Sequence, residues 1–229
     1  MTTASSRPRR ALLLCVLGAA ACGRAAGTGP ATTSPPASAT ATAADIEALY
    51  RARLDSARMR FTEADVHFMT GMIGHHAQAL VMAGLAPTHG AGPSVRILSA
   101  RIINAQNDEI AIMQRWLRDR GRPVPEVHIA GTTMTVSGSA HHMHMPGMLT
   151  AEQLDTLDQA RGPEFDRLFL RFMIQHHQGA VTMVHDLFAT DGAGQDLQSF
   201  KIASDIQVDQ TTEIARMERM LQALTGGAP

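Results

Sequence analysis

The chain has 229 residues, of which 45% are hydrophobic, 18% charged and only 4% aromatic. That length and apolar content suit one sizeable folded domain or two small ones and disfavour collagen-like, fully disordered and polytopic membrane chains. A formal net charge of −1 supplies no global field for nucleic acid or an anionic surface.

Arg7, Arg9 and Arg10 precede the apolar run ALLLCVLGAAA and Cys22. A basic stretch, a short apolar stretch and small residues before a cleavage point predict an export signal over residues 1–21. The run is shorter than the about 20 apolar residues that a membrane span needs. Ala19-Ala20-Ala21-Cys22 has the form of a bacterial lipoprotein box, although such boxes usually carry Leu where Ala19 stands. The expectation is lipidation of Cys22, with attachment to the membrane by lipid; ordinary signal-peptidase cleavage nearby is the alternative. Cys15 and Cys22 are the only cysteines, so the rest of the chain has no disulfide and no thiolate. Without residues 1–21 the chain carries 17 basic and 21 acidic residues, a net charge of −4. Residues 22–44, rich in Gly, Pro, Ser, Thr and Ala, have no periodic apolar face and read as a disordered tether.

From residue 45 to 229 the pattern is helical, and it occurs twice. DVHFMTGMIGHHAQALVM (65–82) aligns without a gap on DRLFLRFMIQHHQGAVTM (166–183). Ile102, Gln106, Glu109, Ile110 and Met113 then match Ile206, Gln210, Glu213, Ile214 and Met217. The halves, about 62–120 and 150–224, each predict two long helices joined by a breaker, Pro87–Pro93 or Asp191–Gly194. Thr62 with Asp65, and Thr150 with Gln153, predict capping boxes; Pro163 suits a first helical turn. Asp65 and Asp166 read as first-turn acids that complement the helix dipole. Residues 44–60 suggest one more helix, and the His/Met-rich linker 121–149 has room for a short extended piece. The fold class expected is all-α, a four-helix bundle built from two repeated helical hairpins.

Helical phase sorts the side chains. With Met72 as zero, His76 falls at about +40°, His75 at about −60° and Met82 at about −80°, all within one wide face. Met72 stands one turn before both histidines, as Met173 does before His176 and His177. On the following helices Gln106 and Glu109, and again Gln210 and Glu213, fall inside the apolar stripe. A carboxylate there is costly unless paired. Glu109 and Glu213 therefore either bind metal or fix a histidine through its second ring nitrogen. A lone buried histidine or a methionine stripe is usually packing; their joint recurrence in both halves is what suggests a metal site. A third cluster, His141-His142-Met143-His144-Met145-Pro146-Gly147-Met148, sets six imidazole or thioether donors on a loop. With 14 Met and 11 His in all, the donor set suits copper, with zinc and iron as alternatives.

MIGHHAQALVM, the stretch from MPGMLTAEQL to QHHQGAVTM, and QTTEIARMERML closely resemble the family catalogued as domain of unknown function 305, over about residues 45–225. The resemblance implies a ferritin-like bundle in an exported bacterial protein that binds metal through its paired histidines. It carries over His75, His76, Met72 and Met82 in the first half, then His176, His177, Met173 and Met183 in the second. No glutamate stands three residues before a histidine, so the di-iron pattern of ferritin relatives is missing. The reading is an exported metal-binding protein, for copper sequestration or transfer, with no nucleic-acid partner. The alternatives are a ferritin-like metal-dependent enzyme, an oxidase or hydrolase, and a metal-free adaptor bundle.

Overall fold

Thr62 is extended and accepts a hydrogen bond from the Asp65 backbone N–H, while the Asp65 carboxylate accepts from the Thr62 backbone N–H. This reciprocal box starts the first long helix where the sequence predicts it. The computed structural model describes residues 41–58, 60–137 and 145–226. They form helices α1 (Ala43–Arg58), α2 (Glu63–Gly84) and α3 (Pro93–Asp119), strands β1 (Glu126–Ala130) and β2 (Thr133–Ser137), then helices α4 (Ala151–Gln159), α5 (Pro163–Ala189) and α6 (Leu197–Leu224). The fold is mostly α. The extended piece expected in the linker is an antiparallel hairpin with Val127 opposite Val136. The leader expected at residues 1–21, Cys22, the expected tether through residue 40, and His141, His142, Met143 and His144 lie outside the described residues. No helix among the described residues is long and apolar enough to cross a membrane.

α2 packs along α3, α5 along α6, and α2 against α5. Two apolar clusters fill the interior. One joins Ala79 and Met82 of α2, Leu98 and Ile102 of α3, Phe165, Phe169 and Met173 of α5, and Met217 of α6. The other joins Phe68, Met69 and Met72 of α2, Met113 and Trp116 of α3, Ala180 and Val184 of α5, and Ile206 of α6. On all four helices the stretch between the two clusters is polar: His75 and His76, Gln106 and Glu109, His176 and His177, Gln210 and Glu213. The bundle therefore carries a polar layer across its waist.

Carboxylates lock the ends. Beyond capping its own helix, Asp65 accepts hydrogen bonds from the Gly194 N–H (2.9 Å) and the Ser199 hydroxyl (2.5 Å), which ties α2 to the start of α6. Asp166 does the same across the molecule, accepting from the Gly92 N–H at the start of α3. A dipole role alone, as expected from the sequence, understates both residues: each closes the turn of the opposite hairpin. Asp196, the N-cap of α6, accepts from the Trp116 indole (2.7 Å) and pairs with the buried Arg120 guanidinium (2.6 Å).

Burial raises the Asp65 carboxyl, but hydrogen bonds from Ser199, Thr62 and Gly194 outweigh it and hold the pKa below the ordinary value. Replacing Asp65 with Asn keeps the shape but puts an amide NH2 among donors. The expected loss is about 1–3 kcal/mol, seen as a lower urea midpoint with an unchanged slope. An unchanged midpoint would show that the cross-helix cap contributes nothing.

Candidate metal centre

α2 and α5 bring their histidine pairs face to face. All four imidazoles, His75, His76, His176 and His177, are fully buried. The rings of His75 and His176 stack with centroids 3.8 Å apart at 37°. His75 Nε2 lies 3.0 Å from the carbonyl oxygen of Pro146, and His176 Nε2 lies 2.9 Å from the carbonyl oxygen of His75. A carbonyl only accepts, so both Nε2 atoms carry the proton. His76 Nε2 meets Glu109 Oε2 at 2.5 Å, and His177 Nε2 meets Glu213 Oε2 at 2.8 Å. Each glutamate thus bonds the far ring nitrogen of a histidine across the helix pair.

His75 and His176 carry their proton on Nε2, so Nδ1 of each of these two rings, when neutral, is a bare lone pair. All four Nδ1 atoms are buried without a hydrogen-bond partner, as are Oε1 of Gln106 and of Gln210. Such groups are costly to leave unmade, so the layer is a concentration of unspent donor capacity. Among the described residues, no three His, Cys, Asp or Glu side chains already converge as a metal cage. Burial, then the neighbouring ring of His76, pushes His75 down to about 3. Burial, then the rings of His75, His177 and His76, holds His176 well below the ordinary value. Neither ring carries charge near neutrality, so both lone pairs are available.

The methionines divide. Met72 and Met173 are fully buried, one in each apolar cluster, on either side of the polar layer. Met82 is equally buried, whereas Met183 is only partly buried. The end of the His/Met loop, Met145 to Leu149, is laid onto α2 and α5 as a strap. Gln78 holds it at Leu149 by two bonds, donating to its carbonyl (3.0 Å) and accepting from its N–H (2.7 Å). His75 and Gln175 donate to the carbonyls of Pro146 and Gly147. The strap lies so close to α5 that a Cβ on Gly179 would collide with the Pro146 carbonyl. Met148 is half-buried in this strap. Sequence reasoning missed the strap and its anchors Gln78 and Gly179; a glycine inside the QHHQGAVTM helix was the available signal.

The depressed histidines make stability acid-sensitive with a definite sign. Unfolded imidazoles take up protons below about 6.5, while His75 in the fold resists until about 3. The unfolded chain therefore binds more protons in that window, and stability falls as pH falls, by up to about 1.4 kcal/mol per pH unit for each such ring. The metal-free double variant His75→Gln/His176→Gln, which retains an N–H donor at each site, should show a shallower decline of urea midpoint between pH 6.5 and 5. A slope equal to that of the parent would mean the two rings are not held neutral.

The fold has relatives among solved structures. No curated protein matches the chain. A DUF305 fragment from Deinococcus radiodurans is 31% identical over 71% of this chain and 98% of its own, with a TM-score of 0.58. A DUF305 protein from Streptomyces coelicolor, at 24% identity and a TM-score of 0.58, shares the fold over 71% of this chain and 94% of its own. CopM, whose structures include a Cu(I)-bound form, is 30% identical over 69% of this chain and 96% of its own, with a TM-score of 0.51. CopM structures in Cu(II)-bound and Ag-bound forms match to the same degree of identity. The family model described as domain of unknown function (DUF305) matches residues 65–221, and the chain belongs to that family.

Proposed function

We propose that this protein binds copper outside the cytoplasm and sequesters it or passes it on, using imidazole and thioether donors. The observation that carries the reading is the set of four buried Nδ1 atoms with no protein hydrogen-bond partner. A purely structural histidine layer would pair those atoms, because an unpaired buried acceptor costs about 1–3 kcal/mol. The similarity to CopM, crystallised with Cu(I), Cu(II) and Ag, supports the choice of metal. The donors also favour it: zinc and iron take imidazole as readily, but thioethers discriminate toward Cu(I).

In this reading His75, His76, His176 and His177 supply the inner donors, with Met72 and Met173 beside them. Met82, Met145, Met148 and Met183, and the loop residues His141, His142, Met143 and His144, supply the remainder. Glu109 and Glu213 fix the ring orientation of His76 and His177. Gln106 and Gln210 bring carbonyl oxygens to the same layer. The leader supports export, and Cys22 supports attachment to a membrane through lipid. A tether of about twenty residues would let the bundle meet partners away from the bilayer surface.

Titration against a Cu(I) chelator tests the reading, with zinc as the comparison ion. Cu(I) should bind more tightly than zinc, and His76→Gln/His177→Gln should lower Cu(I) stoichiometry. Equal affinity for the two ions, or full copper stoichiometry in the double variant, would remove the basis for a copper layer.

A further inference from the structure

A second concentration of soft donors lies on the surface, apart from the histidine layer. A pocket of about 220 Å³ opens between the N-terminal part of α2 and the C-terminal part of α5, and the strap closes one side. Four of its lining side chains are candidate ligands: His67 of α2, Met145 of the strap, and Met183 and Asp186 of α5. His67 stands four residues before Gly71, on the same face of α2. A Cβ at Gly71 would meet Met145 Sδ at 3.3 Å and Met183 Cε at 3.4 Å. The two thioether side chains therefore converge over one helical position that has no side chain of its own.

This pocket is not a repeat of packing found elsewhere. In the aligned second half, Leu168 stands for His67 and Phe172 for Gly71, and both pack against the apolar cluster that holds Met82. Met82 is sealed there, whereas its counterpart Met183 lines open space. The strap position is also held rigidly: the carbonyl next to Met145, that of Pro146, accepts from His75. The pocket combines two partly buried thioethers at the floor with an exposed imidazole and an exposed carboxylate at the rim. Hard divalent ions gain little from thioethers, while a soft monovalent ion gains most from them. The carboxylate adds attraction for any cation.

We propose that this pocket is a solvent-accessible site for a soft monovalent cation, Cu(I) or Ag(I), held by the thioethers of Met145 and Met183 and the imidazole of His67. The proposal rests on the copper reading above, but it names a site separate from the buried histidines and open to exchange with solvent.

Ag(I) is the probe, because it shares the ligand preference of Cu(I) and does not change oxidation state under assay conditions. The full chain is titrated by calorimetry, and the methionine ε-methyl NMR signals are followed in parallel. Met145→Leu/Met183→Leu should lose one equivalent of Ag(I), or bind it at least tenfold more weakly, with an unchanged circular dichroism spectrum. In the unsubstituted protein the Met145 and Met183 methyl signals should shift on addition of Ag(I), while that of the core residue Met69 stays in place. Those shifts decide the matter even if the double variant fails to fold. Wild-type Ag(I) stoichiometry and affinity in the folded variant, or unmoved Met145 and Met183 signals while Ag(I) binds elsewhere, would overturn this site and leave the copper reading standing. No Ag(I) uptake by the unsubstituted chain would overturn both.

Discussion

The bundle is organised around four imidazoles buried in an apolar interior. Each engages Nε2 in a hydrogen bond, and each bond crosses from one element to another. His176 reaches the backbone of α2, His75 reaches the strap, and His76 and His177 reach glutamates on α3 and α6. Since every bond is inter-element, the layer fixes how the four helices stand relative to one another. An apolar waist of similar volume would pack as well, but it would tolerate sliding of one hairpin past the other. A buried polar layer permits one register, because any other strands its donors.

The proposed function draws on the same layer. Using Nε2 for structure leaves Nδ1 for chemistry, and the lone pairs are retained because burial and mutual repulsion suppress protonation of His75 and His176. The strap extends the arrangement outward. Its Pro146 carbonyl accepts from a ring of the layer, and its Met145 lines the surface pocket, so inner and outer donors share one support. Carboxylates at the two ends, Asp65 and Asp166, close the hairpins across the molecule and leave the waist free of that task.

Much of this was legible in the sequence, and the reasons are specific. Periodicity at 3.6 residues exposed α2, α3, α5 and α6, since each must present a wide apolar face. Helical phase alone put Glu109 and Glu213 into that face, and an acid there needs a partner; the histidines were the nearest candidates. Asp65 was only half legible: its cap is local and follows from Thr62, but its bonds to Gly194 and Ser199 span about 130 residues and leave no local pattern. The strap was illegible for a similar reason. Gln78 and Gly179 occupy equivalent positions in the two aligned segments, yet one bonds the strap and the other makes room for it. The pocket escaped because His67 lies outside the His-His motif and gains meaning only when Met145 is folded back beside it.

X-ray absorption at the copper edge of the Cu(I)-loaded protein tests the central claim most directly, because it reads the donor atoms themselves. The account predicts nitrogen and sulfur scatterers together, from imidazole and thioether. A spectrum with only oxygen and nitrogen neighbours, or a protein that retains no Cu(I) to measure, would contradict it.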